Sequence, residues 1–192
     1  MKTKLLMLAV ACGCTFAGSA MAMTMTKAEY KAEKTRISAE YKANKEKCSA
    51  LKANAKDICT SEAKGTEKIA KAEAEAMYKP SAKHTKDVAM AKADAAYSVA
   101  KEKCDDLSGN AKDVCVKDAK AAFVKMKEDA KVAKVAADTT KDKNEKMADV
   151  KKDAADEKRE AAYKAAKERC DALSGVPKDT CQNDAKVKFG IK

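Results

Sequence analysis

The sequence predicts an all-α protein: three disulfide-stapled helical hairpins, about six helices, in an elongated or loose coiled-coil-like bundle. Three observations carry this. One cysteine pair is written three times in one frame, as Tyr41-x6-Cys48-x10-Cys59, Tyr97-x6-Cys104-x10-Cys115 and Tyr163-x6-Cys170-x10-Cys181. Alanine, lysine and glutamate are strong helix formers and abundant here, while Trp is absent and aromatics make up 4%. Each cysteine pair also brackets a short polar turn. Leu51, Leu107 and Leu173 lie three residues after the first cysteine, and Asp57, Asp113 and Asp179 two before the second.

Residues 1–22 read as a cleavable signal peptide. Lys2 and Lys4 form a basic start, Leu5 to Gly18 an apolar run, and Ala20-Met21-Ala22 a small-residue cleavage signature. The run is shorter than the roughly 20 apolar residues a membrane-crossing helix needs, so no transmembrane span is expected. Lipid attachment at Cys12 or Cys14 is the rival reading, and neither follows a leucine-led lipidation box. Export places the protein in an oxidising compartment. Without Lys2 and Lys4 the formal charge of +11 falls to +9, and without Cys12 and Cys14 the eight cysteines fall to six. An even number of cysteines in an oxidising compartment is the setting for disulfides. The triplicated spacing favours the three local pairs: Cys48–Cys59, Cys104–Cys115 and Cys170–Cys181.

The first hairpin repeat spans 23–79. Tyr30, Ile37, Tyr41, Cys48 and Leu51 fall along one helical face, interrupted by Lys34 and Asn44. The chain must reverse between the cysteines. A straight helix would hold them about 16 Å apart, whereas a disulfide requires Cα atoms within about 7 Å. Asn54 is the expected N-cap of the next helix, and Ala53 stands where the later repeats have glycine. Pro80 and Ser81 read as a helix stop followed by a fresh N-cap.

The second repeat spans 81–139. Its leading helix carries the seam Met90, Ala93, Tyr97, Ala100, Cys104, Leu107. Gly109 suits a left-handed C-cap and Asn110 an N-cap. The trailing helix continues with Cys115, Ala119, Ala122, Met126, Ala130 and Ala133 on one face, up to a break at Asp138-Thr139-Thr140. Residues 140–160 carry seven basic and seven acidic side chains, as an exposed helix laced with i,i+4 pairs or a flexible linker. The third repeat spans 161–192, with Tyr163, Ala166, Cys170 and Leu173 leading into a turn at Gly175. Pro177 there takes a first-turn position, where its missing N–H does no harm.

Little in the chain points to a reaction. Zinc sites favour clustered cysteines two to four residues apart, and a spacing of ten around a turn fits a bridge instead. His84, the single histidine, lies in a first helical turn between Lys83 and Lys86 and reads as a solvated surface residue. Met23 and Met25 form a methionine pair of the kind that can hold Cu(I), on an isolated terminus. The positive charge is spread thinly, without the basic patch and stacking aromatics of a nucleic-acid binder, so no nucleic-acid partner is expected. Tyr41, Tyr97 and Tyr163 share the cysteine face and read as core packing with the hydroxyl at the edge. No cofactor and no metal site is expected, and the chain reads as non-enzymatic.

The segments YSVAKEKCDDLSGNAKDVCVKDAKAAF (97–123) and YKAAKERCDALSGVPKDTCQNDAK (163–186) resemble exported proteobacterial proteins with Ala/Lys-rich helices and C-x10-C repeats. Those proteins are often labelled as similar to the cell-envelope protein TolA. The resemblance implies periplasmic location and an envelope association. The expected role is structural, stress-related or interactive. Its partners would be envelope components (anionic lipid, lipopolysaccharide or cell wall) or further copies of the chain. The rival expectation is a periplasmic binding protein for a small ligand or metal.

Overall fold

The computed structural model describes residues 24–138 and 143–191. The leader expected over 1–22, its Cys12 and Cys14, and Met23 lie outside the described residues, as do Thr139 and Thr140. Six helices follow one another: α1 (Lys27–Ser49), α2 (Ala53–Tyr78), α3 (Ala82–Cys104), α4 (Gly109–Ala136), α5 (Lys143–Cys170) and α6 (Val176–Phe189). The described residues form three stapled helix pairs, as the cysteine frame predicts.

Local chemistry sets several boundaries. Thr26 opens α1 with a capping box: its hydroxyl accepts from the Glu29 amide at 3.2 Å, and the Glu29 carboxylate accepts from the Thr26 amide at 2.7 Å. Pro80 separates α2 from α3, and the Ser81 hydroxyl accepts from the His84 amide at 3.1 Å. Pro177 sits in the first turn of α6, which closes on the left-handed Gly190 at φ 63°.

Each helix touches only its neighbours in sequence: α1 with α2, α2 with α3, α3 with α4, α4 with α5, and α5 with α6. The helices therefore form one antiparallel row instead of closing into a bundle around a shared core. Burial is correspondingly thin. Ile37, Val124 and a series of alanines, among them Ala74, Ala93, Ala130 and Ala154, occupy the seams with the first cysteine of each pair. Alanine removes little surface from water, so close approach of backbones does the packing. Gly65 on α2 marks a close approach to α3. A Cβ there would come within 2.8 Å of the Ala95 Cβ on α3.

The charged stretch expected over 140–160 is helical from Lys143 and forms the first half of α5. Ala154 is buried and Met147 and Val150 half-buried on this half, which α4 covers. The expected face of α4 is partly wrong: Ala122, Met126 and Ala133 are exposed. A single-seam pattern assumes one neighbour, whereas α4 lies between α3 and α5 and turns Val124, Glu128 and Ala130 inward.

Candidate functional site at the hairpin tips

The three disulfides close at Cα separations of 5.5 Å (Cys48–Cys59), 5.6 Å (Cys104–Cys115) and 5.7 Å (Cys170–Cys181). Each turn is built the same way. The leading helix stops at or next to its buried cysteine, and the leucine amide three residues on donates to that cysteine's carbonyl, at 3.0–3.1 Å. Six residues before the second cysteine the backbone turns left-handed, with Gly109 at φ 55° and Gly175 at φ 61°. Ala53 takes the same conformation at φ 48° despite its side chain. Gly109 is left-handed as expected, but as the opening residue of α4; α3 ends on the right-handed Asp105.

Two expectations about the tips are corrected. Leu51, Leu107 and Leu173 are not core residues, being 41%, 45% and 43% exposed. The face that carries the cysteines exists only while the helix lasts. Each leucine lies beyond its end, where helical spacing no longer directs side chains inward. Asn54 and Asn110 are not N-caps either. Lys52 and Ser108 hold those positions without a side-chain bond. The asparagines reach sideways to the next hairpin. Asn54 Nδ2 donates to the Glu102 carbonyl at 2.7 Å, and Asn110 Nδ2 to the Glu168 carbonyl at 3.1 Å. These clasps align the three tips side by side at one end of the row.

Charges follow the same frame. Asp105 pairs with Lys112 at 2.9 Å and Asp171 with Lys178 at 2.8 Å across their turns. The Lys178 bond holds the Asp171 carboxyl below its ordinary range, and the Asp105 bond raises the Lys112 ammonium. The first tip has Ser49 in place of aspartate, and its hydroxyl donates to the Glu46 carbonyl at 2.6 Å. Neighbouring hairpins are joined by Lys92–Glu73 at 2.8 Å and Lys103–Glu62 at 3.9 Å, then by Lys158–Asp129 and Arg169–Asp118.

Below the tips, aromatic pairs fill two of the hairpins. Tyr97 meets Phe123 with centroids 5.2 Å apart, and Tyr163 meets Phe189 edge-on at 6.3 Å. All three frame tyrosines are half-buried. Tyr41 faces a different situation, because Glu67 stands where the other trailing helices have phenylalanine. The first hairpin places its aromatic pair at the far end, where Tyr30 stacks on Tyr78 at 4.6 Å. The Tyr30 hydroxyl donates to Glu75, which raises the phenol's pKa and lowers the carboxyl's. His84, in the first turn of α3, is half-buried and not fully solvated as expected, its ring nitrogen against the Lys79 carbonyl that ends α2. Met25 is half-buried, and its amide donates to the Met77 carbonyl at 3.0 Å.

The groove between α4 and α5 holds a cavity of about 580 Å³, lined chiefly by charged residues with Tyr163 and Ile191 at one end. Glu128, 1% exposed, is satisfied there by Lys131 at 2.8 Å and Lys127 at 3.6 Å. Among the described residues no three His, Cys, Asp or Glu side chains gather as metal ligands. Among them, too, no helix is long and apolar enough to cross a membrane. The repeated geometry is therefore that of the tips and of the joints between hairpins. Sequence reading missed the clasps, although Asn54 and Asn110 share one frame position, as do Glu102 and Glu168. No protein-family model, curated protein or solved structure matches the chain.

Proposed function

We propose that this is a non-enzymatic, exported helical repeat protein that serves as a structural or interaction module of the cell envelope, in the periplasm. Three intramolecular disulfides are the mark of a protein that matures in an oxidising environment. The observation that carries the interaction reading is the end of the row. Three equivalent tips stand side by side there, each offering a leucine more than two-fifths exposed. A side chain repeated in register at such an edge gives three small contacts that act together on an extended surface.

The test is co-sedimentation of the oxidised protein with purified cell-wall sacculi and with lipid vesicles, neutral and anionic, at low and physiological salt. Retention on one of them at physiological salt, weakened in a Leu51→Ser/Leu107→Ser/Leu173→Ser variant, is the expected outcome. Retention that is indifferent to the three leucines would remove the tip from the reading. No retention on either surface would remove the envelope-binding role.

A further inference from the structure

Three of the contacts between neighbouring hairpins are directional and obey one rule at both joints. The ion pairs Lys68–Asp94 at 3.2 Å and Lys117–Glu168 at 3.7 Å run the other way and have no counterpart at the other joint. The trailing helix of one hairpin supplies three groups. An asparagine lies five residues before the second cysteine (Asn54, Asn110), an acid three residues after it (Glu62, Asp118), and a second acid fourteen after it (Glu73, Asp129). The leading helix of the next hairpin receives them. Glu102 or Glu168 offers its carbonyl two residues before the first cysteine, Lys103 or Arg169 a cation one before it, and Lys92 or Lys158 a cation twelve before it. At both inner joints the giving flank supplies an amide and two carboxylates, and the receiving flank a carbonyl and two cations.

The outer flanks of the row depart from this rule. At the giving edge, Val176 occupies the asparagine position and is 77% exposed. Asp184 keeps the first acid position, and α6 ends at Phe189 on the left-handed Gly190, eight residues past Cys181 and short of the fourteenth position. At the receiving edge the cations persist as Lys47 and Arg36, but both are engaged at home. Lys47 lies 3.4 Å from the Asn44 side-chain oxygen, and Arg36 is bound by Glu33 at 2.7 Å and Glu40 at 2.8 Å. The Glu46 carbonyl accepts from the hydroxyl of Ser49, a side-chain donor at the position where the inner hairpins carry Asp105 and Asp171.

We propose that the joints are a one-way self-recognition code between hairpins, and that Val176 with the short α6, and Ser49 with the locally paired Arg36, close it at both edges. The code docks hairpins within one chain and refuses a second copy. The fold would otherwise invite head-to-tail growth, since a row with unlike flanks makes heterologous contacts that do not close.

The test restores the code. A chimera carries Ser49→Asp, with Glu33→Gln and Glu40→Gln to release Arg36, and with residues 175–191 replaced by a second copy of 109–136. This gives the last hairpin the asparagine, both acids and a full-length trailing helix. Analytical ultracentrifugation of the oxidised proteins should find the natural chain monomeric across the micromolar range. The chimera should associate with rising concentration, and less so in high salt. A natural chain that associates through α1 and α6, or a folded chimera that stays monomeric, would overturn the proposal. Should the chimera misfold, Asn110→Val in the natural chain decides. It should speed amide exchange at the C-terminal end of α5 while leaving α1 unchanged. Exchange at α5 equal to that of the natural chain would overturn the code.

Discussion

At the tip of the second hairpin, Cys104 and Cys115 are joined covalently across a turn whose backbone must pass through a left-handed residue. One helix earlier, α2 and α3 meet without any covalent link, held by the close approach of Gly65 to Ala95, a clasp and ion pairs. The joints within hairpins and the joints between them thus use different means. A bridge limits what the unfolded chain can do, whereas the outer joints depend on fit between folded surfaces. Because each helix touches only its neighbours, the two kinds of joint can be broken separately, as in other linear arrays.

The largest expected effect comes from breaking the inner joints. Each bridge closes a loop across a separation of 11 residues, worth about 3 kcal/mol in the chain-entropy view. Three together are a large share of a typical total of about 5–15 kcal/mol. Full reduction should therefore lower the melting temperature followed by circular dichroism by many degrees. An unchanged Tm would show that the row stands on its helices alone.

Next in size is Gly65→Ala, aimed at an outer joint. The new methyl meets another short, rigid side chain, so α2 and α3 must part, at a cost of about 1–3 kcal/mol. The gain in helix propensity, about 1 kcal/mol or less, offsets part of it. Hydrogen exchange should rise along α2 and α3 while the three disulfides stay intact. Stabilisation by the same substitution would mean that the helices have room to separate.

Acid sharpens the comparison further. Lys158 holds the Asp129 carboxyl below its ordinary value across the α4–α5 joint, and Lys178 does the same for Asp171 within a tip. A carboxyl whose folded pKa is depressed contributes stability that is present above its unfolded pKa and lost as pH falls through the folded one. Stability should thus decline from about pH 4 downwards, and Asp129→Asn should flatten that slope. A slope identical in the variant would remove Asp129 from the account.

The smallest effect is a gain. Ala53 is held at φ 48°, where an L-residue with a Cβ is strained by about 1–2 kcal/mol. Ala53→Gly should stabilise the first hairpin by roughly 1 kcal/mol or less, since glycine also enlarges the freedom of the unfolded chain. Chemical denaturation would register it as a higher midpoint at constant m. A lower midpoint would contradict the strain.

Much of the fold was legible in the residues, and the reasons are local. The cysteine frame specified the bridges because a spacing of ten can be closed only through a turn, and Pro80-Ser81 marked a boundary by its own stereochemistry. What escaped was whatever depends on distant partners. Asn54 and Asn110 look like caps from their neighbours in sequence, yet their acceptors lie 48 and 58 residues away. The leucines were misassigned because helical spacing was carried past the last helical residue. The choice between closed bundle and open row turned on which faces of α4 are covered, and α4 has two such faces. As for the tips, the residues were found and their shared geometry was not.

A row in which every helix meets only its chain neighbours has a further consequence for how the molecule comes into being. Its helices pack only on helices next to them in the chain, and such a low separation between partners favours fast folding. Growing from its N-terminus, each hairpin can form as soon as its own second cysteine emerges, before later cysteines exist to compete. Each bridge joins cysteines only 11 residues apart, so a hairpin's own pair meets more readily than cysteines of different hairpins.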